Sequence, residues 1–131
     1  MKTVLVVDDD ADIRELIAWK LGQAGYSTMV AADGEAGLLA ATAGDDDGRR
    51  PDLILVDWMM PKMSGIEVCQ TLRDNPVTAR IPVILLTANS QEADVEVGFA
   101  AGADDYIAKP FSPREMLGRI QAVLARSEAR A

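Results

Sequence analysis

Leu53-Ile54-Leu55-Val56-Asp57 is a run of aliphatic residues with no polar alternation, closed by a carboxylate. A half-exposed strand alternates polar and apolar residues, so an uninterrupted run of this length predicts a strand covered on both faces. The same design occurs twice more: Val4–Val7 runs into Asp8-Asp9-Asp10, and Val83–Leu86 runs into Thr87. Between the runs the period changes to that of a helix. Ile13, Leu16, Ile17 and Leu21 define one apolar stripe, and Ile66, Cys69 and Leu72 another. Ser27–Val30 and Tyr106–Lys109 complete the set as weaker strands, which gives five βα units and an α/β protein with a parallel sheet.

Local punctuation supports this register. Ser64-Gly65-Ile66-Glu67 and Ser112-Pro113-Arg114-Glu115 both fit the capping box in which Ser and Glu satisfy orphan backbone donors reciprocally, the second with Pro at the first helical position. Gly25 suits the residue after the first helix, and Asp33-Gly34-Glu35 opens a second helix through Leu38, Leu39 and Thr42. The fourth helix is expected over Gln91–Ala101, and the fifth continues through Leu117, Ile120, Val123 and Leu124. Asp45-Asp46-Asp47 precedes a strand in a Gly- and Pro-containing segment and reads as a solvated loop.

Composition narrows the class. One compact domain fits 131 residues, and with 49% hydrophobic but only 5% aromatic residues its core must be aliphatic. A net charge of −8 repels a phosphate backbone and argues against direct nucleic-acid binding. Cys69 is the only cysteine and there is no His, which excludes an internal disulfide, a His-based metal site and a His-dependent triad. Cys69 lies on an apolar stripe and reads as core; a reducing, cytoplasmic setting fits. The first apolar run reaches Asp8 too soon for a signal-peptide core or a membrane span, so no membrane association is expected.

In an open α/β sheet, ligands bind beyond the carboxyl ends of the strands. That edge receives Asp8 and Asp9 from the first run, Asp57 from the third, Thr87 from the fourth and Lys109 from the fifth. Each has an ordinary use: Asp9 or Asp10 as cap of the first helix, Thr87 as cap of the fourth, Lys109 in an ion pair. Their joint arrival at four strand ends points instead to a site. Three carboxylates brought together repel one another unless a cation compensates, and oxygen ligands without His or thiolate favour magnesium or manganese. Lys109 supplies a point charge for a phosphoryl oxygen, Thr87 a hydroxyl donor, and Asp57 a nucleophilic carboxylate.

The ordered set Val-Leu-Val-Val-Asp8-Asp9-Asp10, Asp52-Leu-Ile-Leu-Val-Asp57-Trp-Met-Met-Pro61-Lys-Met-Ser-Gly65, Pro82-Val-Ile-Leu-Leu-Thr87-Ala88 and Gly102-Ala-Asp-Asp-Tyr106-Ile-Ala-Lys109-Pro110-Phe111 resembles the motifs of response regulator receiver domains across nearly the whole chain. The resemblance implies a doubly wound sheet of order 2-1-3-4-5 flanked by five helices, with residues 1–125 as receiver domain and 126–131 as a tail or the start of a linker. It implies Asp57 as phosphoacceptor; magnesium on Asp9, Asp57 and the Met59 backbone carbonyl, with Asp8 acting through water; and phosphoryl oxygens on Thr87 and Lys109, with Ala88 leaving room. Tyr106 would be the switch aromatic that turns inward with Thr87, and Lys109-Pro110 a cis peptide. Trp58 is expected near the mouth of the site.

The implied function is a signalling switch, not a turnover enzyme: it catalyses only its own phosphorylation and dephosphorylation. A sensor histidine kinase or phosphotransfer protein would supply the phosphoryl group, and the surface of the fourth helix, fifth strand and fifth helix would control an output protein or domain. A phosphate-independent receiver-like module is the alternative. A haloacid-dehalogenase-type phosphohydrolase needs a second Asp two residues after its nucleophile; Met59 stands there, and the pair Asp8/Asp10 continues into Ala11-Asp12 without matching that motif. No nucleotide-binding G-x-x-x-x-G-K-[ST] occurs. Asp104-Asp105 and Arg119 resemble the dimer surface of the winged-helix transcription-factor branch, but the fourth helix carries Glu92, Asp94 and Glu96 and no base, so a monomer or weak dimer is expected without phosphate.

Overall fold

The computed structural model describes residues 1–88 and 92–129, without the side chains of residues 92–94. Strands β1 (Thr3–Val7), β2 (Ser27–Ala31), β3 (Leu53–Asp57), β4 (Val83–Thr87) and β5 (Asp105–Ala108) alternate with helices α1 (Ala11–Gln23), α2 (Gly34–Ala43), α3 (Gly65–Asp74), α4 (Glu92–Ala100) and α5 (Pro113–Ala129). The strands form one parallel sheet of order β2-β1-β3-β4-β5, as the family resemblance implied.

Strand periodicity divides the core into two layers. Val4, Val6, Leu53, Leu55, Ile84 and Leu86 face α1 and α5, packing with Ile17, Leu21, Met116, Ile120 and Val123. Leu5, Val7, Ile54, Val56, Val83 and Leu85 face the other way, toward Ala41 of α2 and Val68, Cys69 and Leu72 of α3. Every residue of β1, β3 and β4 is buried, which is why these strands lack polar alternation.

The helices are punctuated largely as expected. Ser64 and Glu67 form a complete capping box on α3. On α5 the Glu115 amide donates to Ser112 Oγ at 3.0 Å, while the Glu115 carboxylate pairs with Arg119 at 3.5 Å. Gly25 adopts φ 94° beyond α1, a left-handed conformation that favours glycine, and Lys109-Pro110 is cis. Asp45–Asp47 form an exposed turn in which Asp45 Oδ1 accepts the amides of Asp47 and Arg49, both at 2.9 Å.

Several details differ from the sequence reading. Leu16 is 57% exposed: the buried line of α1 is Ile13, Ile17 and Leu21, and Leu16, one residue before Ile17 and so about 100° away around the helix, falls on its flank. Leu39 is also exposed, because α2 buries small residues; a Cβ at Gly37 would lie 2.8 Å from Val7 Cγ2, so α2 rests its backbone on β1. β2 runs one residue further, to Ala31, and β5 spans Asp105–Ala108, leaving Lys109 just beyond the sheet. Of the expected fourth helix, Gln91 lies outside the described residues and Ala101 follows the helix end. α5 continues past Ala125 to Ala129, where Glu128 pairs with Lys2 at 2.7 Å.

Candidate functional site

Strand register brings the polar strand ends together. Val7 pairs with Val56, so Asp8 and Asp57 leave adjacent strands at the same level; Asp57 pairs with Leu86, and Thr87 with Ala108, so Thr87 and Lys109 each stand one step further along. Neighbouring strands are about 5 Å apart, so each side chain reaches the next. Carboxylate oxygens of Asp8, Asp9 and Asp57 lie within 4.8 Å of one another.

The division of labour at Asp8-Asp9-Asp10 is resolved. Asp10 caps α1, accepting the amides of Asp12 at 2.9 Å and Ile13 at 3.2 Å, which leaves Asp9 to the acidic cluster. Asp8 is completely buried; its Oδ1 accepts the Asp10 amide at 3.0 Å. Its Oδ2 has no hydrogen-bond donor among the described residues, with Lys109 Nζ at 3.6 Å. Lys109 Nζ is closer to Asp57 Oδ1, at 3.1 Å. Lys109 thus reaches two of the three clustered carboxylates. The buried, donor-poor Asp8 oxygen beside two further carboxylates fits a hard divalent cation such as magnesium, which takes oxygen ligands and keeps water.

Burial raises the pKa of Asp57 above the ordinary carboxylate value; the nearby Asp8 charge adds to the rise and Lys109 opposes it. The loop after β3 is held tightly. The Trp58 amide donates to the Leu86 carbonyl at 2.8 Å, and the Trp58 carbonyl accepts the Gly65 amide at 2.9 Å. A Cβ at Gly65 would sit 2.5 Å from the Asp57 carbonyl oxygen, so only glycine lets α3 begin this close to the acidic edge. Met59, two residues after Asp57, exposes 68% of its surface. Thr87 is buried, its carbonyl accepting the Lys109 amide at 2.7 Å, and Ala88 is exposed at the rim.

Tyr106 is half-buried between α4 and α5, edge-on to Phe99 with ring centroids 6.0 Å apart, and the Arg119 guanidinium lies 5.9 Å above its ring. Asp104 and Asp105 separate in role: Asp105 pairs with Arg119 at 3.2 Å within the chain, whereas Asp104 pairs with Arg73 at 2.9 Å and accepts the Val83 amide. Arg73 also donates to the carbonyls of Gly102, Ala79 and Ile81. Sequence reasoning passed over Arg73, and over Arg14, whose guanidinium holds the Asp8 carbonyl at 2.9 Å. Neither belongs to a strand-end motif, and each shows its purpose only beside its tertiary partner.

Comparison with known proteins agrees with this geometry. The family model "Response regulator receiver domain" matches residues 4–121. The chain is 47% identical over 96% of its length to the phosphate regulon transcriptional regulatory protein PhoB of Pseudomonas aeruginosa, covering 53% of that protein. It is 45% identical over 97% of its length to the alkaline phosphatase synthesis transcriptional regulatory protein PhoP of Bacillus subtilis, covering 50%. The chain therefore spans about half the length of the curated relatives it matches. Among solved structures, chemotaxis protein CheY4 of Vibrio cholerae superposes with a TM-score of 0.85 at 34% identity, covering 94% of this chain and 98% of that one. A putative response regulator of Chloroflexus aurantiacus gives 0.86 at 36% identity, covering 95% and 98%. Motifs, sheet order, acidic edge and relatives agree, and the chain belongs to the response regulator receiver domain family of two-component signalling.

Proposed function

We propose that the chain is a phosphorylation-dependent switch whose acceptor is Asp57. The observation that carries this is the contact of Lys109 with Asp57 inside a cluster of three carboxylates. Asp8 is wholly buried with one oxygen engaged, and Asp9 is the exposed member; Asp57 is the carboxylate that combines partial access with a cation at hydrogen-bond distance. In the reaction an Asp57 carboxylate oxygen forms a bond to phosphorus while the bond from phosphorus to the donor imidazole nitrogen, or to acetate in a small-molecule donor, breaks and its electron pair leaves with the donor. Lys109 then pairs with the new phosphoryl oxygens, the Thr87 hydroxyl donates to another, and Ala88 leaves space beside it. Magnesium, on Asp9, Asp57 and the Met59 carbonyl with Asp8 acting through water, would offset the charge of the incoming group.

The phosphoryl source is a sensor histidine kinase or phosphotransfer protein in the cytoplasm. Thr87 and Tyr106 relay the change to the surface of α4, β5 and α5, which acts on an output protein or on a domain of the same polypeptide. The receiver reading covers residues 1–125, and α5 carries the chain on to Ala129 in the segment read as a tail or linker. The test is intact-protein mass spectrometry after incubation with acetyl phosphate and magnesium. One covalent phosphoryl group is expected, lost on chelation of the metal before the donor is added and absent in Asp57→Asn. Full magnesium-dependent labelling of Asp57→Asn would refute the acceptor assignment. A companion titration followed by Trp58 fluorescence should show weak magnesium binding that Asp9→Ala reduces sharply; unchanged saturable binding in that variant would refute the metal assignment.

A further inference from the structure

At Asp8 the chain leaves β1. The Asp8 amide still donates to the Ala31 carbonyl at 3.2 Å, but the Asp8 carbonyl lies past the last paired residue of the strand, and no backbone amide among the described residues reaches it. Asp8 is completely buried, so this carbonyl has no bulk water to turn to, and a buried carbonyl without a donor is destabilising. Its donor is the Arg14 guanidinium, which reaches back from the start of α1 to within 2.9 Å. Arg14 has a second hold on the same loop, because its amide donates to the Asp10 carbonyl at 3.0 Å. The two bonds bracket Asp9. Asp9 itself is exposed and makes no hydrogen bond of its own among the described residues, so its neighbours place its carboxylate in the cluster with Asp8 and Asp57. The Arg14 guanidinium is likewise in no ion pair among the described residues, although it reaches the loop that carries two of the three acids.

We propose that Arg14 is a positioning residue of the cation site: its side chain holds the Asp8 carbonyl and its amide the Asp10 carbonyl, which sets Asp9 against Asp8 and Asp57. Magnesium affinity then depends on a side chain that supplies no ligand. This role rests on the reading of the acidic cluster as a magnesium site. A group that orients a ligand raises affinity through geometry. The charge of Arg14 acts the other way, because a guanidinium near the site repels a second cation. Loss of the hold and loss of the charge therefore have opposite signs, and the direction of the change in affinity separates them.

Magnesium titrations of the whole chain, followed by NMR through the amides of β3 and the loop after it, test this. Arg14→Met keeps an aliphatic stem but removes both donor and charge, and it should weaken magnesium binding roughly tenfold. Arg14→Lys, which retains one charged donor, should fall between Arg14→Met and the parent. In an Asp9→Ala background no carboxylate is left to place, so adding Arg14→Met should change the affinity less than about twofold. Without metal, backbone relaxation should show the Asp9 amide more mobile in Arg14→Met than in the parent, with urea unfolding as the check that each variant is folded. Equal or tighter magnesium binding in Arg14→Met, or an undiminished loss in the Asp9→Ala background, overturns the proposal. A parent that binds no magnesium overturns the metal reading instead. The metal-free relaxation then decides whether Arg14 places Asp9, and an Asp9 amide as rigid in Arg14→Met as in the parent overturns that too.

Discussion

Asp57 is held in its charged form at a cost to the fold, since burial and Asp8 both raise its pKa. Below its ordinary pKa the native and unfolded chains are both protonated and nothing is lost. As pH rises, the unfolded chain ionises first, so the contribution of this group to stability falls until the native pKa is passed. Asp57→Asn should therefore melt at higher temperature than the parent at neutral pH in chelator, with the difference fading in acid; magnesium, binding the native carboxylates, should narrow it again. Thermal melts across pH with and without metal check all three signs. Cys69 gives a second test: burial pushes its thiol up to about 11, so a thiol reagent at neutral pH should label the unfolded but not the native protein. That Asp8, Asp57 and Thr87 gather at one sheet edge was legible because an unbroken apolar run ending in a polar residue marks the carboxyl end of a buried strand without any knowledge of partners. Arg14 and the close approach at Gly65 were not, because their meaning lies in contacts with Asp8 and with the Asp57 carbonyl that no local pattern encodes.

Elements were legible where burial was extreme. β1, β3 and β4 are buried on both faces and were read within a residue of their ends, whereas β2 and β5 at the sheet edges have mixed exposure and correspondingly weak signals. α2 was legible only in part: Leu38 packs against the core as expected, but the buried residues are Gly34, Gly37 and Ala41, and a search for large apolar residues also selects the exposed Leu39. The connection from α3 to β5 depends on one side chain. Arg73 joins the carbonyls of Ala79 and Ile81 before β4 to Gly102 and Asp104 before β5, and Asp104 also holds the Val83 amide. Removing the guanidinium takes one donor from the Asp104 carboxylate, which keeps the Val83 amide, and takes the shared donor from the carbonyls of Gly102, Ala79 and Ile81, so Arg73→Ala should cost about 2 kcal/mol in urea unfolding. Arg73→Lys should recover little of it, because a single ammonium cannot span carbonyls that the planar guanidinium reaches together. By contrast, Ser64→Ala removes one cap at the exposed start of α3 and should cost about 1 kcal/mol.

At the scale of the whole molecule, charge decides more than composition. A net charge of −8 discourages both nucleic-acid binding by this domain and unassisted self-association. The surface of α4, β5 and α5 sharpens the second point. The sequence of α4 carries Glu92, Asp94 and Glu96 and no Lys or Arg. Its nearby cation, Arg119, is already engaged inside the chain, with Asp105 at 3.2 Å, Glu115 at 3.5 Å and the Tyr106 ring beneath it. A pair across a two-fold interface would have to replace contacts already present, and exposed pairs contribute only about 0–1 kcal/mol each. Two copies meeting through this face would also bring their acidic helices together, adding like-charge repulsion. The unphosphorylated protein should therefore sediment as a monomer at low micromolar concentration. Weak association at higher concentration should grow with added salt, because screening relieves repulsion more than it weakens internal pairs at a partly covered site. Arg119→Glu should leave the monomer unchanged, since no subunit contact is lost. A stable unphosphorylated dimer that dissociates on Arg119→Glu would show that Arg119 exchanges its internal partners for those of a second copy, and the charge argument would fail.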